Sequence, residues 1–465
     1  MRFVFAGVGA MVPGDGRRLR RGVLGAVPLL VTVMLTTGMR VDDDVSTGGG
    51  IEHVAHLPKA EALGGSAAYN SDLAFTGDHV IVGNYHGFAV YDISRPAEPR
   101  LISTVLCPGS QGDVSVSGDL LYFSVDYPRA SEECGASAVS VTDPDGFEGL
   151  RIFDLSDKAN PQYVAAVRTD CGSHTNTLVP GKDGEHEYVY VSSYSPSTDF
   201  PNCQPPHDKI MVIEVPLDDP AAAAVVSEPR LFAEEGHEST SGCHDITAYP
   251  ERDIAAAACM GDGVLLDISD PVNPVVTERV QDENFAFWHS ATLTNDARHV
   301  VFTDELGGGS AATCDEETGP ERGANAVYAV DHGEAGPELR FRSYYKLPRH
   351  QAETENCVAH NGSLIPVPGR DYFVQAWYQG GVSVIDLTDP DRPEEIAYFD
   401  RGPWDAESLS MAGSWSAYYY NGHIYSSEIQ RGLDVLRLTD PRLAEAEWVR
   451  LEEFNPQSQP SLSSR

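Results

Sequence analysis

A short element recurs along the 465-residue chain: a glycine, an apolar run, an aspartate, an apolar residue, a serine or threonine, and a proline. Clear copies read GFAVYDISRPAEP (87–99), GLRIFDLSDKANP (149–161), GVLLDISDPVNP (263–274) and GVSVIDLTDPDRP (381–393). Between them lie runs of alternating apolar and polar residues, the period of a half-buried strand. No amphipathic helical run interrupts them. The repeat therefore limits the chain to an array of short strands.

Four short strands repeating every ~40 to 70 residues are typical of β-propeller blades. We therefore predict an all-β fold, a seven-bladed β-propeller formed by one domain over residues 51–454. The outer strand that closes the last blade is expected from residues 52–58, with residues 447–454 as the alternative. The innermost strands of the blades, here called strands A, are expected to begin near Asp72, Asp113, His174, His244, His289, His360 and Trp415.

The repeated element resembles the LVIVD repeat of secreted bacterial propellers, and the resemblance covers most of residues 50–445. The match is clear in the first, second, fourth and sixth blades. Glu214 replaces the aspartate in the third blade, Asp331 is displaced in the fifth, and Arg437 occupies the position in the seventh. The resemblance implies an exported propeller but no shared chemistry, so function has to be inferred from the site.

The net charge and the two ends of the sequence indicate which partners and which compartment to expect. Seventy acidic residues against 32 basic ones give a net charge of −38, which repels nucleic acid phosphates, so no nucleic acid partner is predicted. Basic residues followed by the apolar run 22–38 make residues 1–40 an export signal or an uncleaved anchor at the outer face of the membrane. We expect a secreted protein that meets the membrane only through this segment, a linker over 41–50, and a disordered tail over 455–465.

Eight cysteines fall in two kinds of connection. The four strands of each blade are lettered A to D from the channel outwards. Four cysteines lie between strand D of one blade and strand A of the next, and four lie at the end of strand B or between strands B and C. Both kinds of connection emerge on one face of a propeller, and an exported chain favours disulfides over a thiolate metal site. The predicted pairs are Cys107 with Cys134, Cys171 with Cys203, Cys243 with Cys259, and Cys314 with Cys357.

Aligning the seven strands A places four histidines in one column, where consecutive blades three to six contribute His174, His244, His289 and His360. The next column is polar throughout. Thr175, Asp245, Ser290 and Asn361 follow the histidines, and the other blades contribute Asp72, Asp113 and Ser416 as polar channel residues. The sequence therefore predicts an arc of imidazoles at the mouth of the central channel.

Imidazole is the commonest side-chain ligand of zinc, copper and iron, and rigid strands would fix the geometry of a site before the metal arrives. We expect three imidazoles and a water around one such ion, or else one small polar ligand. The four residues that follow the histidines are candidates to fix the ring tautomers. The alternative is that the histidines only line a wet, polar channel.

Two acids near the ends of strands B, Glu305 and Glu428, are candidates for a general base acting on metal-bound water, although both are also interpretable as loop carboxylates. Two classes of function follow. The first is a metal-dependent oxidoreductase or hydrolase, similar in fold to propellers that hold metal with channel histidines, such as the carotenoid oxygenases and selenium-binding proteins. The second is a non-catalytic extracellular module that binds a protein partner or the cell wall.

Overall fold

The computed structural model describes residues 45–460, except 233–235 and 334–335. Within these residues the chain forms strands and four short 3₁₀ helices, at Glu61–Leu63, Pro220–Ala222, Pro250–Arg252 and Pro441–Trp448. None of the helices in this part of the chain is long and apolar enough to cross a membrane. The predicted export segment, residues 1–40, lies outside the described residues.

Seven antiparallel sheets follow one another as the blades of a propeller, as predicted. Two strands precede the first blade, β1 (Ser46–Gly49) and β2 (Ile51–Pro58). Blade one comprises β3 (Asn70–Thr76), β4 (His79–Asn84), β5 (Gly87–Asp92) and β6 (Arg100–Leu106). Blade two comprises β7 (Val114–Ser117), β8 (Leu120–Arg129), β9 (Phe147–Asp154) and β10 (Gln162–Arg168). Blade three comprises β11 (Thr175–Pro180), β12 (His186–Ser192), β13 (Met211–Pro216) and β14 (Ala224–Ser227).

The remaining blades repeat the pattern. Blade four comprises β15 (Asp245–Tyr249), β16 (Ile254–Cys259), β17 (Asp262–Asp267) and β18 (Val275–Val280). Blade five comprises β19 (Trp288–Leu293), β20 (His299–Asp304), β21 (Asn325–Gly333) and β22 (Gly336–Tyr345). Blade six comprises β23 (Gly362–Ile365), β24 (Tyr372–Ala376), β25 (Val382–Asp386) and β26 (Glu394–Asp400). Blade seven comprises β27 (Ser414–Tyr420), β28 (His423–Glu428) and β29 (Gly432–Leu438), and a last short strand is β30 (Glu453–Phe454).

The N-terminal strand β2 pairs with β29 and supplies the outer strand of blade seven, so residues 52–58 close the ring. The competing segment does not pair there. Its end, β30, pairs instead with β3, the inner strand of blade one. The expected linker over 41–50 is wrong for residues 46–49, because β1 adds to the open edge of β26 in blade six. Unpaired backbone groups at a sheet edge accept a further strand whatever its side chains are.

The aspartate of the repeat ends strand C and turns the chain into strand D. In blade one, Asp92 Oδ1 accepts hydrogen bonds from Ser94 N at 2.9 Å and from Ser94 Oγ at 2.6 Å. The same bond to the backbone nitrogen two residues on recurs at Asp154, Asp267 and Asp386. Such a carboxylate fixes a tight turn by satisfying a backbone donor that no strand can reach. The D-[IL]-[ST] signature is therefore a turn signal.

The glycine of the repeat begins strand C, where the neighbouring strand D comes too close for a side chain. Gly87 has φ of +141°, and a Cβ built there would lie 1.9 Å from the carbonyl oxygen of Val105. Gly149 has the same backbone conformation and the same conflict with Val167. Only glycine satisfies both demands.

Among the described residues the buried apolar side chains form eight clusters, seven of which lie one at each interface between neighbouring blades. The eighth contains Val358, Tyr378, Trp415 and Ile429. Burial of these clusters stabilises each blade only when its neighbours are present. The inner strands consequently line a central channel, and the connections into strands A all meet at one end of it, here called the upper face.

The C-terminal tail fills the other, lower end of the channel. Asn455, Gln457 and Gln459 are buried, so the prediction of disorder is wrong for residues 455–460, while 461–465 lie outside the described residues. Asn455 exchanges two hydrogen bonds of 2.7 Å with the backbone of Val116 in blade two. The tail has little apolar surface to bury, but its amide side chains satisfy backbone groups that line the channel.

Candidate metal centre

All four predicted disulfides are present, joining Cys107 to Cys134, Cys171 to Cys203, Cys243 to Cys259 and Cys314 to Cys357. Each bridges the start of a strand A, or the connection into it, to the end of strand B or to the loop that follows. The cross-links therefore hold the upper face, where the predicted histidines lie. Four disulfides are consistent with an extracellular location.

The structure brings the four predicted histidines together in one row. The ring centroids lie 4.3 Å apart from His174 to His244, 4.0 Å from His244 to His289, and 4.3 Å from His289 to His360. His244, His289 and His360 are almost completely buried, whereas the side chain of His174 is 12% exposed. Histidines separated by as much as 71 residues thus become neighbours because each lies close to the start of a strand A.

His174 lies at the more exposed end of the row, and its partners define its tautomer. Its Nδ1 donates to Asp126 Oδ2 at 2.9 Å, because a carboxylate only accepts. Its Nε2 lies 2.8 Å from His244 Nε2. His244 Nδ1 is buried and lacks a hydrogen-bond partner. Such a nitrogen marks a place where a ligand would satisfy the ring.

His360 ends the row deep in the channel. Its Nδ1 donates to the carbonyl oxygen of Trp415 at 2.5 Å, so in the neutral ring the lone pair lies on Nε2. The Nε2 atom faces Glu305 Oε1 at 3.7 Å, and His289 Nε2 lies 3.8 Å from Glu305 Oε2. These distances are too long for good hydrogen bonds, and they leave space between the donor atoms.

Glu305 extends the row with a carboxylate. It follows the end of β20 directly and is 5% exposed. Burial raises the pKa of Glu305 to about 8, although the hydroxyl of Tyr378, which donates to Oε1 at 2.5 Å, opposes the rise. The adjacent Asp304 accepts backbone hydrogen bonds from Ala286, Phe287 and Gly323, so it shapes the turn that leads into β19.

One ring nitrogen of His244, one of His289 and one carboxylate oxygen of Glu305 all lie within 4.8 Å of one another. The strands fix all three side chains before any ion binds. Two histidines and a carboxylate are a donor set found around zinc and non-haem iron. Of the four predicted ligands, His244 and His289 thus belong to this convergent group, and Glu305 is its third member.

Burial keeps the imidazoles of His244, His289 and His360 neutral, as metal binding requires. Desolvation lowers the pKa of His244 and of His289 well below the ordinary value, and the neighbouring rings lower it further. Burial likewise lowers the pKa of His360 to about 3, against the opposing hydrogen bond to Trp415. Each of these rings is consequently neutral at neutral pH, with a proton on one nitrogen and a free lone pair on the other.

Aromatic side chains surround the row of histidines. Tyr194 and Phe287 contact His244, with ring centroids 5.2 and 5.3 Å away, and Tyr378 and Trp415 contact His360 at 4.5 and 5.0 Å. These rings exclude bulk water from the donor atoms, which strengthens electrostatic interactions among them.

The residues predicted to fix the ring tautomers form hydrogen bonds with other partners. Thr175 Oγ1 donates to the backbone carbonyl of His244 at 2.8 Å, and Ser290 Oγ shares a hydrogen bond with Thr303 Oγ1. Among the described residues, no hydrogen bond joins Thr175, Asp245, Ser290 or Asn361 to a ring nitrogen of the row. The reason is that consecutive side chains of a strand point to opposite sides. Asp126 and the carbonyl of Trp415 orient two of the rings instead.

The second candidate acid, Glu428, has a different environment. Its carboxylate accepts from the backbone nitrogens of Gly413, Gln430 and Arg431 and pairs with the Arg431 guanidinium. None of its contacts in the described part of the chain is to an imidazole of the row. Glu428 shapes the turn after β28, and the expectation that it acts at the metal site is not supported by its position.

Sequence reasoning missed Asp126 and Tyr378. Neither lies in the repeat element, and they precede or follow their partners by 48 and 73 residues. The predicted polar channel residues Asp72, Asp113 and Ser416 lie together between the histidines and the tail, where Ser416 Oγ donates to Asp72 at 2.6 Å.

The fold and the site define a seven-bladed β-propeller with a histidine-lined channel mouth. Residues 65–107, around the first copy of the repeat, match the family model of the LVIVD repeat. A search of curated proteins gives no match. The chain is thus a propeller that contains an LVIVD repeat.

Solved structures agree on the fold. Hydrazine synthase of Kuenenia stuttgartiensis superimposes with a TM-score of 0.51 at 13% identity, covering 83% of this chain and 100% of that chain. The β-propeller domain of Cps50 (Swd1) from Myceliophteria thermophila gives 0.52 at 10% identity, covering 84% and 100%. At these identities the likeness shows the architecture alone.

Proposed function

We propose that the protein is an exported β-propeller that binds one transition metal ion at the upper mouth of its channel. His244, His289 and Glu305 are the ligands, and His174 and His360 lie at either end of the row. The observation that carries the proposal is the convergence of three buried donor atoms within 4.8 Å. The unpartnered Nδ1 of His244 supports it, because an ion would resolve that unsatisfied group.

The donor set favours zinc or ferrous iron, with copper as the third candidate. Three protein ligands leave a coordination position for water or a substrate, as in catalytic and not in closed structural sites. When bound, such an ion would polarise the molecule in that position. The chain's own residues hold the donors rigidly, keep the imidazoles deprotonated and exclude bulk water. An oxidoreductase or hydrolase activity is compatible with this arrangement.

Export is proposed from two features. Four disulfides form where they hold the face that carries the histidines, and disulfides persist in oxidising compartments. The apolar run over 22–38 follows basic residues, as in an export signal. Fractionation of cells that express the full chain tests this part, because an intracellular protein with reduced thiols would contradict it.

Elemental analysis of protein purified from an oxidising compartment tests the metal site. Wild type is expected to hold one zinc or iron per chain and to melt at a higher temperature when loaded than after chelation. His244→Ala and His289→Ala are expected to abolish both properties. His186→Ala is the matched control, because His186 lies at the partly buried start of β12 and its ring pairs with Asp183, away from the row of histidines. Metal content that is negligible in wild type, or equal in all variants, contradicts the proposal.

A further inference from the structure

Between the histidines and the C-terminal tail, the channel holds a second group of polar side chains. Asp72, Asp113, Asn176 and Asp245 come from the strands A of blades one to four, and Gln457 enters from the lower end. Each of these side chains is between 0% and 3% exposed. Asp72 and Asp245 both lie near enough to Asp113 to raise its pKa, so three buried carboxylates occupy a part of the channel that the transition-metal site does not use.

The contacts of the group are known in detail. Gln457 Nε2 donates to Asp72 Oδ2 at 2.7 Å and lies 3.4 Å from Asp113 Oδ1, so one amide bridges two carboxylates. Asp113 Oδ2 accepts from the backbone nitrogen of Asn176 at 2.7 Å and from its Nδ2 at 2.8 Å. Ser416 and Tyr418 both donate to Asp72 Oδ1 at 2.6 Å. Among the described residues, these contacts include no lysine or arginine.

Three oxygen atoms of the group have no hydrogen-bond partner. They are Asp245 Oδ1, Asn176 Oδ1 and Gln457 Oε1, all of them inaccessible to solvent. All three are acceptors, so the group has more acceptor atoms than donors to satisfy them. The same imbalance raises the pKa of Asp113 well above its ordinary value, through burial and the neighbouring Asp72. Buried acceptors and carboxylates without compensation destabilise a fold.

A hard cation would correct this imbalance in one step. Calcium takes about six to eight oxygen ligands, carboxylates and amide carbonyls alike, in a flexible geometry. Magnesium demands a tight octahedron and keeps its waters, and transition metals prefer the nitrogen donors of the upper site. The oxygen-only chemistry of the group therefore favours calcium.

We propose that the channel binds one calcium ion through the carboxylates of Asp113 and Asp245 and the amide oxygens of Asn176 and Gln457. Asp72 completes the negative charge around it. A half-turn of the Gln457 amide exchanges its nitrogen and oxygen, so this residue donates to the carboxylates without the ion and binds the ion when it is present. Calcium would then fasten the C-terminal tail to the first four blades. The proposal is independent of the transition-metal site.

Calcium titration of the full chain after dialysis against a calcium chelator tests the proposal. Calorimetry is expected to show one calcium per chain, and calcium is expected to raise the melting temperature while magnesium does not. Asp245→Asn is expected to weaken calcium binding by about tenfold or more. This variant keeps the shape of the side chain and removes a buried carboxylate, so it is expected to fold.

Gln457→Leu tests the contribution of the tail without altering a strand, and a similar loss of affinity is expected. Asp199→Asn is the control, because Asp199 lies on an exposed loop. His244→Ala is expected to retain calcium binding, which separates this site from the upper one. Absence of calcium binding in wild type, or equal affinity in wild type, Asp245→Asn and Gln457→Leu, would overturn the proposal.

Discussion

At the channel mouth, Glu305 is a carboxyl group whose burial disfavours its charged form. It is nearly inaccessible, it lies beside two neutral imidazoles, and one tyrosine hydroxyl is its hydrogen-bond donor. A metal ion would compensate its charge, whereas without metal the folded protein retains the proton. This one residue therefore links the metal site to the pH dependence of stability.

Glu305→Gln is expected to change that pH dependence in the metal-free protein. The pKa of Glu305 is about 8 in the folded state against an ordinary value of 4.5. Above the ordinary value the unfolded chain loses its proton while the folded chain keeps it, so stability is fully present below pH 4.5 and falls as the pH rises through 8. Glutamine does not titrate.

Urea denaturation at a series of pH values measures the difference. Wild type is expected to lose stability more steeply than Glu305→Gln between these two pKa values. The other carboxyls titrate in both proteins, so the comparison isolates Glu305. Parallel curves for the two proteins would show that Glu305 ionises normally in the folded state.

At the scale of the strands, the repeat element acts through its backbone. The glycine lets strand D approach strand C, and the aspartate turns the chain between them. Gly87→Ala is expected to destabilise the protein by ~1 to 3 kcal/mol, because φ is strained for alanine and the new methyl group meets the Val105 carbonyl.

Gly135→Ala provides the matched control for this substitution. A Cβ at residue 135 meets nothing within 4 Å, and its φ lies outside the left-handed region. Urea unfolding of the two variants is expected to separate them clearly, with Gly135→Ala close to wild type. Equal stability of Gly87→Ala and wild type would refute the backbone role assigned to the repeat.

The same local patterns explain what could be predicted. The period-two runs, the glycine and the aspartate are local patterns that each lie within one blade. Strands A, the histidine column and the cysteine pairs could therefore be derived from the sequence. Asp126, Tyr378 and the tail could not, because their roles depend on contacts between distant segments. Gln457, for example, meets an aspartate 385 residues earlier, and its neighbours have no apolar pattern.

The whole molecule is a ring of seven apolar interfaces that three devices hold together. Strand β2 closes the outer edge, the tail spans the lower end, and the disulfides fasten the upper face. The row from His174 to His360 lies at the upper face, so the disulfides there are expected to matter for metal binding as well as for stability.

Removing two of the disulfides, each in a separate variant, tests this expectation. Cys243 directly precedes His244, and its bridge to Cys259 spans 16 residues, whereas the bridge from Cys107 to Cys134 spans 27. Each is expected to contribute ~2 to 4 kcal/mol, with the longer loop contributing at least as much. Replacing Cys243 and Cys259 by alanine is expected to weaken metal binding about tenfold or more.

Replacing Cys107 and Cys134 is expected to lower the melting temperature without that loss of affinity. Calorimetric melting and competition with a chelator measure the two effects on the same samples. If both double variants lose affinity equally, the upper face responds as one unit and the specific support of His244 is wrong.

The proposed metal site depends on His244, His289 and Glu305 binding the same transition metal ion. Anomalous diffraction from crystals of the metal-loaded protein, recorded on both sides of the absorption edge of the ion, tests it most directly. One strong peak is expected within bonding distance of a ring nitrogen of each histidine and of the Glu305 carboxylate. Peaks confined to surface residues, or no peak in protein that elemental analysis shows to be loaded, would contradict it.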